Sequence, residues 1–257
     1  NTVCMDAKTK NGLRHMNFHN IYGYQHAKSI NNYLQGVQKR KFIISLSTFI
    51  GSGKYAGHWG GHIPATWEML KQTLIQTLQF SLYGIPLVGF PVCGFKEISP
   101  DDELCIRWYQ LAAFQPLMLS HRGFEQNLTD PFNIAKYDHN KLEPIRNVLS
   151  LRYQLLPYLY TLFHKANSEG GMVIKPLFIE FPKDHSTYRI DEQFLWGSAL
   201  LISPVVKFGA KSLKAYFPQG YWYDYYSGKR IIGKGEHHEL TAFEYHVNLH
   251  IREGFVI

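Results

Sequence analysis

The sequence predicts an α/β unit followed by an all-β one. Two observations carry this. Over the first two thirds of the 257 residues, short apolar runs alternate with stretches of helical period. After Gly171 the texture changes to short β-type runs separated by turn residues. A hydrophobic content of 45% and an aromatic content of 15% make this a packed chain. The length suits one large domain or two smaller ones.

The elements follow in order. Residues 42–46 (Phe-Ile-Ile-Ser-Leu) read as a short buried strand. A helix starts near Trp67, with Thr66 as its cap and Glu68 in its positive first turn. Trp67, Leu70, Leu74 and Leu78 form its apolar stripe, and Gly84 stops it. Residues 85–89 read as the next strand. Ser99-Pro100-Asp101-Asp102-Glu103 predicts a helix start, with Ser99 capping and Pro100 in the first position. Leu104, Trp108 and Leu111 continue its buried face. Residues 116–119 are a third candidate strand. A long helix is predicted over residues 142–166, kinked at Pro157. Residues 173–181, 199–202, 213–217, 221–226 and 245–250 are the β-type runs, which predict an antiparallel sheet domain. The expected division is 1–168 and 169–257. By pattern alone, the first part fits either a doubly wound sheet or part of a (β/α)8 barrel.

Charge and motifs exclude several functions. The formal net charge is +7, and residues 7–96 hold ten Lys or Arg against one carboxylate, Glu68. These cations are scattered, with only Lys39-Arg40-Lys41 as a run, and no nucleic-acid motif accompanies them. Nucleic acid is therefore not expected as a partner. Gly51-Ser-Gly53 leads to Tyr55 and Trp59 and not into a helix, which argues against phosphate binding. No apolar run approaches the ~20 residues needed to span a membrane. The polar start at Asn1 and the apolar stop at Phe255-Val256-Ile257 both read as cuts, so a piece of a longer protein is expected. A half barrel exposes strand edges, and a marginal, aggregation-prone fold is expected of it.

No metal or cofactor is expected. His58 and His62 are four apart, but Gly60-Gly61 between them argues against the helix that would pair them. His246 and His250 would lie ~13 Å apart along a strand. His237-His238 reads as an exposed turn. Trp108, Trp196 and Trp222 read as core. Cys4, Cys93 and Cys105 lack the paired spacing of a zinc site. Cys93 and Cys105 are either a disulfide or two buried thiols. Asn127-Leu128-Thr129 is a glycosylation sequon, relevant to a secreted chain.

The most informative stretch runs from Gly51 to His62. Its glycines with Tyr55 and Trp59 resemble the wall of a sugar-binding cleft. Ser47-Thr48-Phe49, Gly51-Ser-Gly53, Tyr55-Ala-Gly-His-Trp59 and Gly61 together resemble glycoside hydrolase family 31, the α-glucosidases, and within it the intestinal ones. The likeness continues through His19-Asn20-Ile21-Tyr22-Gly23, Cys93-Gly94-Phe95, Arg107-Trp108, Gln193-Phe-Leu-Trp-Gly197 and Trp222-Tyr-Asp224. It covers nearly the whole chain.

The resemblance implies the C-terminal half of a (β/α)8 barrel followed by an antiparallel β-sandwich domain. It implies retaining hydrolysis by a nucleophilic carboxylate and a second carboxyl group that protonates the leaving oxygen, about 5–5.5 Å apart. The family's nucleophile strand lies upstream of Asn1. The acid/base Asp closing His-Trp-x-Gly-Asp is His62 here. The Arg before Ser-Thr-Phe is Leu46, the sugar-binding Asp before the Cys-Gly-Phe segment is Pro91, and the Arg-Asn pair before the cleft His is Leu119-Ser120. Trp59, Phe95 and His121 survive as the substrate-binding wall. The family pattern pairs Cys93 with Cys105 and leaves Cys4 free. The expectation is a degenerate family member with no intact catalytic residue and α-linked gluco-oligosaccharides as its ligand class. A secretory, extracellular or membrane-associated location is implied. The alternatives are an active maltase using other acids and a non-catalytic carbohydrate-binding or interaction module.

Overall fold

The computed structural model describes residues 2–37, 40–95, 100–121, 123, 129–136 and 138–257. Helix α1 (Tyr22–Tyr33) precedes a parallel three-stranded sheet of β1 (Ile44–Ser45), β2 (Gly57–Trp59) and β3 (Val88–Gly89) in that order. Its register sets Ser45 opposite His58 and Trp59 opposite Gly89. Parallel neighbours need crossovers, and α2 (Trp67–Leu82) supplies the one between β2 and β3. Thr66 caps α2 by accepting from the Met69 amide.

Helix α3 (Asp102–Ala112) corrects one expectation. Its cap is Asp101, whose carboxylate accepts from the Leu104 amide at 2.7 Å. Asp101 has the extended backbone a cap needs, and two acids follow it in the first turn. Ser99 lies outside the described residues. The strand expected over 116–119 is only a bridge, Pro91 with Leu119, beside the bond from the Leu117 amide to the Val88 carbonyl. The proline at 116 can donate nothing to a ladder. Short α4 (Pro131–Ile134) and long α5 (Leu142–Ser168) complete this part, with Pro157 inside α5.

The second part begins with β4 (Ile174–Lys175). The run expected over 173–181 is not one strand: Pro176 ends it, and α6 (Leu177–Glu180) follows. Then come β5 (Phe194–Trp196), β6 (Leu200–Ser203), β7 (Ser212–Phe217), β8 (Gly220–Asp224), β9 (Arg230–Gly233), β10 (Glu236–Thr241) and β11 (Asn248–Arg252). Six form an antiparallel sheet in the order β4-β5-β6-β11-β8-β9, and β7 pairs with β10. His237 and His238 are inside β10, not in a turn, because they pair with Tyr216 and Ala215. His246 precedes β11, so the strand spacing expected between it and His250 does not apply. It rests between Tyr226 and Phe243 at 4.4 and 4.2 Å.

The two parts share one core. Leu70, Leu74, Trp108, Ile145 and Leu155 of the helices join Phe194, Trp196 and Leu249 of the sheet in one buried cluster. The Trp196 indole donates to the Phe114 carbonyl at 2.7 Å. Trp108, Trp196 and Trp222 are all fully buried. A second cluster fills the seam between the two sheets, from Leu195, Leu201 and Trp222 on one side and Ala215 and Phe217 on the other. Among the described residues, no helix is long and apolar enough to cross a membrane.

Candidate functional site

The C-terminal ends of parallel strands are where barrel folds place their chemistry. Here β1 runs into Leu46, β2 into Trp59 and the loop to His62, and β3 into the segment from Phe90 to Phe95. The bridge segment runs from Leu119 into His121.

The loop after β2 is shaped by its glycines. A Cβ at Gly60 would sit 1.9 Å from the ring of Phe90, so only glycine lets the chain cross that buried phenyl. Gly61 turns with a φ of 75° and brings Leu46 alongside. The turn delivers His62 onto Phe95: ring centroids are 4.1 Å apart and the planes lie 26° from parallel. Phe95 in turn meets His121 at 5.1 Å. Its backbone is fixed on both sides, with its amide donating to the Ile63 carbonyl at 2.7 Å and its carbonyl accepting from the Gly123 amide. His62, Phe95 and His121 thus form one continuous row of rings drawn from three loops.

The other sequence-predicted positions fall around this row. Trp59 is half-buried at the end of β2. Leu46 and Leu119 present 59% and 43% of their surface, so apolar side chains occupy the rim. Pro91 is buried and pairs with Leu119. Glu68 is exposed in the first turn of α2, where its charge suits the helix start. Cys93 and Cys105 form a disulfide that ties the segment after β3 to α3, and Cys4 is an exposed free thiol. Asn127 lies outside the described residues.

His58 and His62 diverge. His58 is buried on β2, bonded through Nδ1 to the Thr48 hydroxyl at 2.9 Å and stacked on Phe80 at 3.7 Å. Burial pushes its pKa down to about 4, so it is a neutral packing group. Among the described residues, no three His, Cys, Asp or Glu gather as a metal-binding group.

One feature was not singled out from the sequence. A cavity of about 830 Å³ beside the end of β1 is lined by His15, His19, Tyr22, Ser47, Thr48 and Phe49 among others. His15 is buried and shares a 2.9 Å hydrogen bond with His19. The signals were the His19-to-Gly23 and Ser47-Thr48-Phe49 motifs; that they meet at one cavity has no local signature.

A parallel three-stranded sheet with a helical crossover, packed on an antiparallel sheet domain, is an α/β architecture followed by a β one. Residues 1–162 match the TIM-barrel domain of the glycosyl hydrolases family 31, and residues 170–257 match that family's C-terminal domain. The chain belongs to glycoside hydrolase family 31. It is 40% identical to mouse lysosomal alpha-glucosidase over 95% of its length, 41% identical to human intestinal sucrase-isomaltase over all of it, and 42% identical to a human probable maltase-glucoamylase 2. It spans 27%, 14% and 10% of those proteins respectively. Among solved structures, glucosidase II alpha subunit bound to alpha3-Glc2 superposes with a TM-score of 0.92 at 29% identity, covering 98% of this chain and 28% of that one. A mutant Flavobacterium johnsoniae dextranase complexed with isomaltotriose superposes at 0.90 and 26% identity, covering 98% of this chain and 32% of the other.

Proposed function

We propose that this chain is a non-hydrolysing member of an α-glucosidase lineage, keeping part of a wall for α-linked gluco-oligosaccharides without the acid that would cleave them. The observation that carries this is the placement of His62. The residue at the family's proton-donor position is an imidazole lying on Phe95, and between Asp6 and Glu97 the sequence offers no carboxylate but Glu68. Losing a general acid alone costs roughly 10²–10⁴ in rate. Leu46 and Pro91 add to the deficit, since neither can hydrogen-bond a sugar hydroxyl. The division of labour follows: residues 1–168 carry the wall, and residues 169–257 buttress it. A secretory location fits the Cys93–Cys105 bridge and the lysosomal and intestinal names of the relatives.

The row of rings favours a second reading, a carbohydrate-binding module, because sugar rings stack on aromatic faces and Phe95 is held rigidly. Two measurements separate the readings. A p-nitrophenyl α-glucoside assay on the wild type and on His62→Asp is expected to show no turnover in either; wild-type turnover at rates ordinary for glucosidases overturns the proposal. Titration calorimetry with maltose or acarbose tests retained binding. Heat that disappears in Phe95→Ala supports the module, and no heat at millimolar ligand eliminates it.

A further inference from the structure

The seam between the two sheets holds a cluster of ionisable groups that the cleft does not use. His250 lies on β11, near the middle of the six-stranded sheet, and is only 2% exposed. It stands opposite Leu201 of β6 and Asp224 of β8 in the register. Directly opposite residues share a sheet face, so His250 faces the seam with Leu201. Its ring meets Phe217 of β7 edge-on at 4.8 Å. His238 of β10 meets the same Phe217 ring at 5.2 Å, from the other sheet. Phe217 is fully buried and bracketed by two imidazoles.

Neither imidazole is fully satisfied. His250 Nδ1 and His238 Nε2 are buried without a hydrogen-bond partner. His238 Nε2 is 3.7 Å from Glu236, beyond hydrogen-bond reach. Few charges face these rings. β8 offers Asp224, held below the usual carboxylate range by bonds from the Ser227 amide and hydroxyl that outweigh its burial. β10 offers Glu236 and His238 itself. β6 and β7 present Leu201 and Phe217, which do not titrate. At the Tyr216 side the Gln193 amide accepts from the Tyr216 amide at 2.6 Å and donates to the Ser203 hydroxyl, while the Tyr216 hydroxyl donates to the Asp184 carboxylate and its ring meets His237 of β10.

We propose that this seam is an acid-sensitive clasp, in which protonation of His250 releases the β7–β10 pair from the six-stranded sheet. His250 gains a buried proton with no hydrogen-bond acceptor at Nδ1, and the new charge sits against the Phe217 ring with a second imidazole on its far side. Burial supports this, holding His250 down to about 4, with the neighbouring His238 pushing the same way and Asp224 opposing both. An open seam returns His250 to water and to an ordinary value near 6.5, so opening takes up a proton as pH falls from about 6.5 to 4. The clasp is independent of whether the cleft binds or cleaves sugar.

Amide hydrogen exchange on the intact chain tests it, with rates corrected for intrinsic pH dependence. From pH 7 to pH 4.5, protection of β7 and β10 amides is expected to fall about tenfold or more further than that of β5 and β6 amides, which follow only the global decline. Parallel loss in all four strands, or no loss in any, overturns the clasp. In His250→Leu the selective fall should shrink, and in His238→Gln it should shrink less; an unchanged pH profile in both also overturns it. Should His250→Leu fail to fold, the wild-type profile and His238→Gln still decide.

Discussion

The imidazole of His62 lies almost flat on the ring of Phe95, 4.1 Å from centroid to centroid. The stacking uses the face of the imidazole, in a row ending in His121, and the residue is exposed. His62→Asp therefore trades an aromatic contact for a carboxylate on a turn that Leu46 lies against. The expected result is a loss of about 0.5 kcal/mol in denaturant stability with no appearance of α-glucosidase turnover. Chemical denaturation and a chromogenic assay on the same preparation check both halves.

Gly53 belongs to the Gly51-Ser-Gly53 motif, and its absent side chain serves packing. A Cβ there would lie 1.8 Å from the Gly84 carbonyl oxygen, and backbone has little room to give. Gly53→Ala is expected to destabilise by about 3 kcal/mol or more, seen as a lowered Tm.

Arg107 binds the two parts together. Its guanidinium donates to the Phe243 and Ala242 carbonyls and to Gln110, and Gln110 donates to the Glu244 carbonyl. It is 4% exposed, and burial depresses its pKa against the pull of Glu103 and Glu244. Arg107→Met strands those carbonyls, at a cost of about 2–3 kcal/mol. Arg107→Lys should recover little, since an ammonium lacks the fork that reaches several acceptors at once. Urea midpoints of the two variants test this.

The pH dependence has a definite sign. His58 titrates near 4 in the fold against about 6.5 unfolded, so the unfolded chain takes the proton first. Its contribution is complete above pH 6.5 and drains away by about 3 kcal/mol as pH falls to 4. His250 adds a slope of the same sign. His58→Phe keeps a ring against Phe80 while losing the bond to Thr48. It should lower stability at pH 7 and flatten the decline between pH 6.5 and 4. Thermal melts across that range give the result; an unchanged slope would show that His58 is not the titrating group.

What was readable in the chain alone was local or carried by motif. Helices α2 and α5 announce themselves through apolar period, and Thr66 through its cap chemistry, because those forces act within a few residues. The family likeness identified the barrel and sheet parts, since ordered motifs report ancestry without any need to compute packing. Tertiary structure decided the rest. Only pairing with β7 made His237 and His238 strand residues, because a ladder's partner lies elsewhere in the chain. Only the crossing of three loops brought His62, Phe95 and His121 into one row. The bracketing of Phe217 by two histidines from different sheets has no sequence signature, because burial and desolvation belong to the assembled fold and not to any segment of it.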